Sequence, residues 1–581
     1  MNSVQLSELT MVETPFLKQL ESLGWKTVAL DDIAKQDPAS SFRSSFDEVV
    51  IQSHLKTALL RLNPWLTTEQ TEDLVKEIQR VENHNLLQAN IEVFNRLTGE
   101  GFSCYDETTG QKNRSVDIFD YSDMDGFDPQ TSKNEFLAVS QYKLRIPGTD
   151  YHIIPDIVLF INGIPVVVVE CKSPSVREGV QEGITQLLRY QDRRGSATPE
   201  GVPELFWYNQ FMISTTGQYA CYSTITGGRA HYLEWKDPYP FKLSDIATDH
   251  TPTSQEILIK GMLSPDRLLD IIQNFTVYKE DDEGRLLKLV ARYMQYRGAQ
   301  KIIKKLKGEG GPQEKSGTLW HTQGSGKSLT MMFTIRKMYH TPTLKDYKIV
   351  LLLDRCDLQK QLTKTSGTIK QQPRVAKSIK DMQELIKPPE DGSQSSDVVI
   401  GMIHKFGERG EVAPQAKVLN ESDKILVMID EAHRTQYSQL AACMWKAMPN
   451  SVKVAFTGTP IDKTTDTFGK FIDTYTMGEA LADDIIVDIV YEGRAVNSTI
   501  SDVKAMSKKF IDVFGLVYPD GMAKQLDGEL LKRYMEDMDV IRIKAKDMLD
   551  HYLCTVFPNR FKAQVVAYTR EAAYRYKKCF E

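Results

Sequence analysis

Two acidic residues and a lysine lie within one short stretch of the chain, PDIVLFINGIPVVVVECK at 155–172. Asp156 comes just before one apolar strand pattern and Glu170 ends the next, and the Asn-Gly pair between them is typical of a tight hairpin turn. The hairpin is predicted to bring Glu170 within one position of opposite Asp156, and strand alternation puts Lys172 on the same face as Glu170. Two carboxylates on one face favour Mg²⁺, which polarises a phosphate and activates water. Lys172 is suited to orienting that water or to neutralising charge that develops on the phosphate.

A second stretch, HTQGSGKS at 321–328, has the residues of a phosphate-binding loop. It follows the strand pattern GTLWHT and precedes the helix pattern SLTMMFTIRKM, which is the setting that such a loop requires. Backbone N–H groups of the turn hold phosphates, Lys327 neutralises β- and γ-phosphate charge, and Ser328 is a candidate Mg²⁺ ligand. His321 stands where the full pattern has glycine. The predicted ATP-binding residues of this loop are Thr322, Gln323, Gly324, Ser325, Gly326, Lys327 and Ser328.

The elements that must position these residues change in kind along the chain. Residues 1–105 are predicted to be mostly helical, because their apolar residues recur at three- and four-residue spacing. Residues 115–235 show strand patterns, interrupted by the helix pattern EGVQEGITQLLRYQDRR. The strand patterns are VDIFDYSD, EFLAVSQYKLRI, DIVLFI, PVVVVECK and LFWYNQFMIST. From Gly317 onward short apolar strands alternate with helices, which predicts a parallel doubly wound sheet.

The predicted fold class is therefore a multidomain α/β protein with four parts. A first domain is expected over 1–250, a helical connector that includes LLKLVARYMQYRGAQ over 251–305, and a nucleotide-binding domain over 306–490. The remainder, 491–581, is expected to contain a connector and then a strand, AQVVAYT, followed by a helix. The polar stretch at 387–397 is expected to be an exposed loop.

Bulk properties set broad limits on the whole chain. The 581 residues are 41% hydrophobic and 26% charged, and no segment approaches the roughly 18 to 20 unbroken apolar residues of a membrane span. The seven cysteines form no zinc spacing, and an odd, scattered set suits a reducing cytoplasm. The net charge of −6 does not exclude nucleic acid as a partner, because a local basic groove is sufficient.

The pattern Asp–x13–Glu–x–Lys at Asp156, Glu170 and Lys172 resembles the PD-(D/E)xK nuclease family. The alternative is an ordinary hairpin with a solvated carboxylate and lysine at its end. Gln186 and Tyr190 follow as a QxxxY pair one helical turn apart, and this pair resembles the element that contacts DNA near the cleft in the RecB-like branch. The family also supplies an acidic residue from an N-terminal helix, for which Glu13 and Glu48 are both candidates.

The motifs IDEAHR at 429–434 and FTGTP at 456–460, placed after the phosphate loop, resemble those of superfamily 2 helicases with RecA-like domains. The resemblance implies that Asp430 holds Mg²⁺, Glu431 positions the attacking water, and His433 couples the ATP state to nucleic acid. The residues that resemble the coupling motif III are Thr457, Gly458 and Thr459.

Three further positions resemble motifs of the same superfamily. Arg355 and Lys405 follow apolar strands and correspond to residues that meet the nucleic-acid backbone. Gln295, upstream of the loop, resembles the glutamine that contacts adenine. The strand and helix near the C-terminus resemble the start of a second RecA-like domain, so the chain is expected to be an N-terminal fragment.

Longer stretches are similar to the restriction (R, or HsdR) subunit of type I restriction–modification enzymes, among them LESLGW, QLLRYQ, LFWYNQ, RYMQYRGAQK, WHTQGSGKSLTM and DRCDLQKQL. The resemblance implies an ATP-dependent translocase of double-stranded DNA and an Mg²⁺-dependent endonuclease that cuts away from the recognition site. It also implies methyltransferase (M) and specificity (S) subunits as partners.

Two rival functions stay open at this stage. One is a stand-alone helicase–nuclease of DNA repair, which needs no methyltransferase partner. The other is a non-cutting remodeller or DNA-binding protein with a relic nuclease fold, which the intact Asp156, Glu170 and Lys172 argue against.

Overall fold

The computed structural model describes residues 7–99, 101–281, 283–353, 373–388, 397–402, 418–432, 445–460, 466–488, 532 and 534–581. The chain divides into two compact units, Met1–Ile486 and Val487–Glu581. Within the described ranges, none of the helices combines the length and apolar character that crossing a bilayer requires.

A mixed β-sheet forms the base of the first part of the larger unit. Its strands and the short hairpins beside it are β1 (Lys26–Val28), β2 (Ser103–Asp106), β3 (Gln111–Ser115), β4 (Phe136–Ser140), β5 (Leu144–Arg145), β6 (His152–Ile153), β7 (Ile157–Ile161), β8 (Ile164–Cys171), β9 (Phe211–Thr215) and β10 (Ala220–Ser223). The six sheet strands run in the order β1-β4-β7-β8-β9-β10. β7 is antiparallel to β4 and β8, whereas β8 is parallel to β9. Both β7 and β8 are buried along their whole length, which explains their unbroken apolar sequences.

The predicted hairpin between β7 and β8 is confirmed. Asn162 and Gly163 have φ of 51° and 81°, as a two-residue turn with left-handed backbone at both positions requires. Ile157 pairs with Val169, so the next positions outward, Asp156 and Glu170, lie opposite each other.

Helices cover this sheet, and the predicted helical character of the first hundred residues is confirmed. They are α1 (Thr14–Ser22), α2 (Gln52–Leu62), α3 (Thr68–Gln79), α4 (Leu86–Thr98), α5 (Gly179–Tyr190), α6 (Pro203–Trp207) and α7 (Ser254–Leu258). A π-helical turn, Leu9–Glu13, precedes α1 directly. The apolar faces of α1 and α2 bury Leu17, Leu20 and Leu55 in the same core as the sheet.

One predicted strand in this region was wrong, and the predicted strand LFWYNQFMIST is confirmed only in its last part, β9 (Phe211–Thr215). Residues 116–123 (VDIFDYSD) form no strand, because side-chain amides rather than a neighbouring strand take their backbone bonds: Asn63 accepts from the Asp117 N–H at 2.9 Å, and Asn134 accepts from the Asp120 N–H at 2.9 Å. The segment LFW belongs to α6 instead of a strand, with Pro203 in its first turn, where proline is well tolerated.

The sequence predicts a connector that is helical throughout, and this prediction is wrong for part of it. It contains α8 (Pro265–Asn274), an antiparallel hairpin of β11 (Thr276–Glu280) and β12 (Leu286–Val290), and α9 (Tyr293–Lys307). The predicted helix over LLKLV is β12, because a short apolar run does not by its periodicity distinguish strand from helix. Lys288 of β12 is buried and donates to Asn90 Oδ1, Asn209 O and Gln210 Oε1 at 2.8–3.1 Å, which fixes the hairpin against the first sheet.

The doubly wound parallel sheet predicted for the second half is confirmed. After α10 (Pro312–Lys315) its elements are β13 (Gly317–His321), α11 (Lys327–Tyr339), β14 (Lys348–Leu353), β15 (Arg374–Val375), α12 (Ile379–Ile386), β16 (Val398–Met402), β17 (Ile425–Asp430), β18 (Val452–Thr457), β19 (Phe471–Tyr475) and α13 (Met477–Ala482). The seven strands are all parallel and run in the order β15-β16-β14-β17-β18-β13-β19. The phosphate-loop sequence follows β13, and the acidic and TGT motifs follow β17 and β18, so all three lie at the carboxyl edge of one sheet.

The smaller unit contains α14 (Met538–His551) and α15 (Arg570–Phe580) among its described residues. The predicted helix after residue 569 is confirmed, but the predicted strand AQVVAYT is wrong, since residues 563–569 form no regular structure. A single strand needs a partner to satisfy its backbone groups, and no described residue of this unit is in a strand.

Candidate functional site

The three residues of the first predicted site lie together at the open end of the β7–β8 hairpin. Lys172 Nζ donates to Glu170 Oε1 at 2.7 Å and lies 3.9 Å from Asp156 Oδ2. The Cys171 backbone N–H donates to Asp156 Oδ2 at 2.7 Å, so the strand itself fixes that carboxylate. All three charged side chains are buried. The fold thus assembles the trio that the sequence predicted.

Of the two N-terminal candidates, the structure brings Glu13 to this cluster and not Glu48. Carboxylate oxygens of Glu8, Glu13 and Asp156 all lie within 4.8 Å of one another. Glu48 is partly exposed, and its carboxylate accepts a hydrogen bond from Ser44.

Glu8 is a member of the cluster that sequence reasoning missed. Residues five apart on an α-helix point about 140° apart, at roughly 100° per residue, so Glu8 and Glu13 give no helical signal. The turn Leu9–Glu13 is π-helical, with i→i+5 bonding that brings residues five apart to the same side. The π-helical turn, in place of an α-helical one, therefore brings Glu8 and Glu13 to the same side of the helix.

Burial and mutual repulsion dominate the electrostatics of these acids. Burial, with a further contribution from the Asp156 charge, raises the pKa of Glu13 to about 8 and holds that of Glu170 well above its usual range. Burial also raises the pKa values of Asp156 and Glu8. Burial alone would lower the pKa of Lys172, but the nearby Glu170 and Asp156 charges outweigh it and the pKa is raised. One ammonium therefore faces four carboxylates.

This donor set fits a divalent cation. Glu170 Oε2 is buried and has no hydrogen-bond partner among the described residues, so one carboxylate oxygen in the cluster is left for another ligand. A divalent ion bound by these oxygens would also offset the repulsion that raises the pKa values, and hard cations such as Mg²⁺ prefer carboxylate oxygen.

The raised pKa of Glu13 predicts how stability depends on pH. The folded chain binds more protons than the unfolded chain between the ordinary value of 4.5 and about 8, so stability falls as pH rises through that window. In EDTA, we expect the melting temperature to drop from about pH 5 to pH 8, and Glu13→Gln to flatten that drop. Differential scanning calorimetry measures both, with the exposed Glu69→Gln as control. An equal slope in Glu13→Gln and the parent would contradict the assignment.

The QxxxY pair, Gln186 and Tyr190, is hydrogen-bonded to the segment that leads into β7. Tyr190 is fully buried and its hydroxyl donates to Ile154 O at 3.1 Å, two residues before Asp156. Gln186 Nε2 donates to the Tyr190 hydroxyl at 2.6 Å. A Cβ at Gly183 of the same helix would lie 2.4 Å from Ser214 Oγ, so this glycine allows α5 to approach the sheet. Tyr190 presents no surface to DNA in this conformation, and the DNA-contact role of the pair stays a prediction.

The phosphate loop has the backbone that its sequence predicts. Gly324 and Gly326 have φ of 88° and 82°, which glycine adopts without strain. Lys327 begins α11, is buried, and its Nζ donates to His321 O at 3.4 Å, so it lies over the loop. Ser328 follows in the first turn of the same helix.

Gln295 contacts the phosphate loop directly. Its Nε2 donates to Ser325 O at 2.9 Å and its Oε1 accepts from the Arg292 N–H at 3.0 Å. The structure therefore places this side chain as a support of the loop, and its predicted adenine contact stays a prediction.

The acidic and TGT motifs end the neighbouring strands β17 and β18, at the same edge of the sheet as the loop. Asp430 is buried at the end of β17, and Glu431 has a left-handed φ of 49°. A Cβ on Gly458 would lie 3.1 Å from Gln323 N and 3.3 Å from Lys327 Nζ. Thr457 Oγ1 accepts from the Thr459 N–H at 3.2 Å. Three predicted residues, Arg355, Lys405 and His433, lie outside the described residues.

Two supports of the loop were not predicted from the sequence. Trp320 Nε1 donates to Gly458 O at 3.3 Å and so joins β13 to the TGT motif. His321, which replaces the usual glycine, is buried and hydrogen-bonds Asp473 Oδ2 at 2.8 Å. Asp473 Oδ1 also accepts hydrogen bonds from Arg297 Nε at 3.0 Å and from Lys301 Nζ at 2.7 Å. No sequence motif signals this pairing, because it depends on strand order.

Comparison with known proteins gives matches for both halves. Residues 5–231 match the family described as type I restriction enzyme R protein N terminus, and residues 294–518 match the SWI2/SNF2 ATPase family. The "Type I restriction enzyme HindI endonuclease subunit" of Haemophilus influenzae is 31% identical, over 83% of this chain and 46% of that protein. The "Putative type I restriction enzyme MjaIXP endonuclease subunit" of Methanocaldococcus jannaschii is 26% identical, over 98% of this chain and 54% of that protein. The chain thus spans about half the length of these relatives.

Proposed function

The chain belongs to the family of type I restriction enzyme R proteins, and from that premise we propose that it carries both the DNA-cutting site and part of the ATP-driven DNA motor of such an enzyme. The observation that carries the proposal is the buried cluster in which Asp156 and Glu170 face Lys172 beside Glu13, within the same unit as a phosphate loop. Neither feature is needed by a passive binding protein.

The proposed cutting site is a PD-(D/E)xK nuclease centre within residues 1–250. Asp156, Glu170 and Glu13 would hold Mg²⁺, which when bound supplies a polarised phosphate and an activated water. Lys172 would stay protonated, because its neighbours raise its pKa, and would stabilise the negative charge that develops on the phosphate. The Cys171 N–H keeps Asp156 in position for this work.

The proposed motor site lies within residues 306–490. The loop from Thr322 to Ser328 would bind the ATP phosphates, with Ser328 and Asp430 at the Mg²⁺ ion and Glu431 orienting the attacking water. Gly458 lies close to both the loop and Lys327, since a Cβ added to it would meet both, and this position suits a motif that senses the nucleotide. Residues 491–581 would contain a connector and the start of a second RecA-like domain.

We further propose that the assembled enzyme acts in the cytoplasm on double-stranded DNA, together with methyltransferase and specificity subunits, and cuts away from its recognition site. The alternative is a stand-alone repair helicase–nuclease. Purification of the tagged chain from its native host distinguishes the two. Co-purification of both partner subunits, with cleavage that requires them, ATP and Mg²⁺, is expected. Full ATP-dependent cleavage without partners would favour the repair enzyme.

A further inference from the structure

One polar side chain in the acidic cluster has no role in the proposed chemistry. Gln141 directly follows β4 and is half-buried, and its Nε2 donates to Glu13 Oε1 and Oε2 at 3.1 and 3.3 Å. The same nitrogen lies 3.4 Å from Asp156 Oδ1. A single amide group therefore joins the carboxylate from the N-terminal segment to the carboxylate from the hairpin.

The backbone of Gln141 is held in an unfavourable conformation. Its φ is 53°, in the left-handed region that residues with a Cβ seldom adopt and that glycine adopts without strain. Its own N–H donates to Asp156 O at 2.8 Å, and the next N–H, of Tyr142, donates to Pro155 O at 3.1 Å. Backbone strain of this kind persists where the surrounding structure enforces it, and it often marks a functional position.

The chemistry of the amide suits this position. A lysine or arginine here would place a second positive charge where a cation is needed, whereas an amide donates hydrogen bonds without adding charge. An alanine would leave two buried carboxylates facing each other with nothing between them. The amide thus draws Glu13 and Asp156 together without competing electrostatically with an ion.

We propose that Gln141 is a positioning residue that holds the carboxylates of Glu13 and Asp156 in the arrangement a divalent cation needs. The inference rests on the proposed nuclease function, because it presupposes that these acids bind a cation. It adds a residue from a third segment of the chain to the site.

The test is calorimetric titration of Mn²⁺ into the 581-residue chain and three variants. Gln141→Met keeps the length of the side chain without its donor, and Gln141→Gly removes the donor while relieving the left-handed strain. Both are expected to weaken Mn²⁺ binding about 10-fold, the lower end of the usual cost of losing a residue that orients metal ligands. The control Gln181→Met, exposed on α5, should bind as the parent does. Unchanged affinity in Gln141→Met would overturn the proposal.

Two further measurements separate the possible failures. The melting temperature of Gln141→Gly should equal or exceed that of the parent although its affinity falls, whereas a merely structural role would lower both and overturn the inference. Asp156→Ala should abolish the same Mn²⁺ binding. If binding does not depend on Asp156, the proposed metal site itself is wrong. If it depends on Asp156 and not on Gln141, only the present inference is wrong.

Discussion

Lys172→Ala is expected to lower DNA cleavage by the assembled enzyme about 100- to 1,000-fold and to leave ATP hydrolysis nearly unchanged. Lys172 is the one cation within the described acidic cluster, 2.7 Å from Glu170 and 3.9 Å from Asp156, and it belongs to a different sheet from the phosphate loop. Loss of the ammonium would remove the group proposed to stabilise charge on the phosphate, but no contact of the proposed motor site.

Cleavage is measured by conversion of supercoiled plasmid, and ATP hydrolysis by phosphate release in the same reaction. Asp156→Asn should show the same separation, because it removes a proposed metal ligand at nearly constant volume. Lys112→Ala, an exposed lysine of β3, is the matched control and should behave as the parent. A comparable loss of both activities in Lys172→Ala would mean that the two sites are not separable.

Lys327→Ala is expected to reduce ATP hydrolysis by about 1,000-fold and, with it, DNA cleavage. Lys327 is buried at the first residue of α11, next to Gly458 and to the backbone of His321, where its charge can reach bound phosphates. Cleavage should fall too, because the proposed enzyme cuts only after it has moved along DNA. Lys345→Ala, an exposed lysine beyond the same helix, is the matched control.

Lys327→Ala should still bind Mn²⁺ at the acidic cluster. This measurement distinguishes a specific loss of ATP hydrolysis from misfolding of the chain. An ATP-inactive variant that still cut DNA at the full rate would contradict the dependence of cutting on translocation and favour a stand-alone nuclease.

Hydrogen bonds through the connector join the first sheet and the parallel sheet within one compact unit. Arg336 of α11, the helix after the phosphate loop, donates to Thr276 O at 2.9 Å, and Lys337 donates to Asp270 at 2.9 Å. These two hydrogen bonds join α11 to the connector. The connector hairpin in turn inserts the buried Lys288 among polar groups of the first part of the unit, among them Asn90. Both proposed sites therefore lie in one compact unit, Met1–Ile486.

By itself, the sequence was sufficient where turn residues and strand alternation leave few alternatives. The Asn-Gly turn between two apolar runs determines which residues of β7 and β8 face each other, and so it predicts the Asp156–Glu170 pair. Glycines at the loop and apolar strands ending in acidic residues likewise predict the parallel sheet and the phosphate loop. In each case the spacing along the chain fixes the geometry, because turn type and strand alternation leave few alternatives.

What the sequence left open was decided by contacts between distant segments. Glu13 rather than Glu48 joins the cluster because the N-terminal helix packs where its π-helical turn faces the hairpin, and the same turn brings in Glu8. Gln141 joins because strand β4 ends beside Asp156. LLKLV becomes a strand because its backbone pairs with β11. VDIFDYSD does not, because side-chain amides of Asn63 and Asn134 bond its backbone instead. Such choices depend on which surfaces meet after folding, and no periodicity within one segment encodes them.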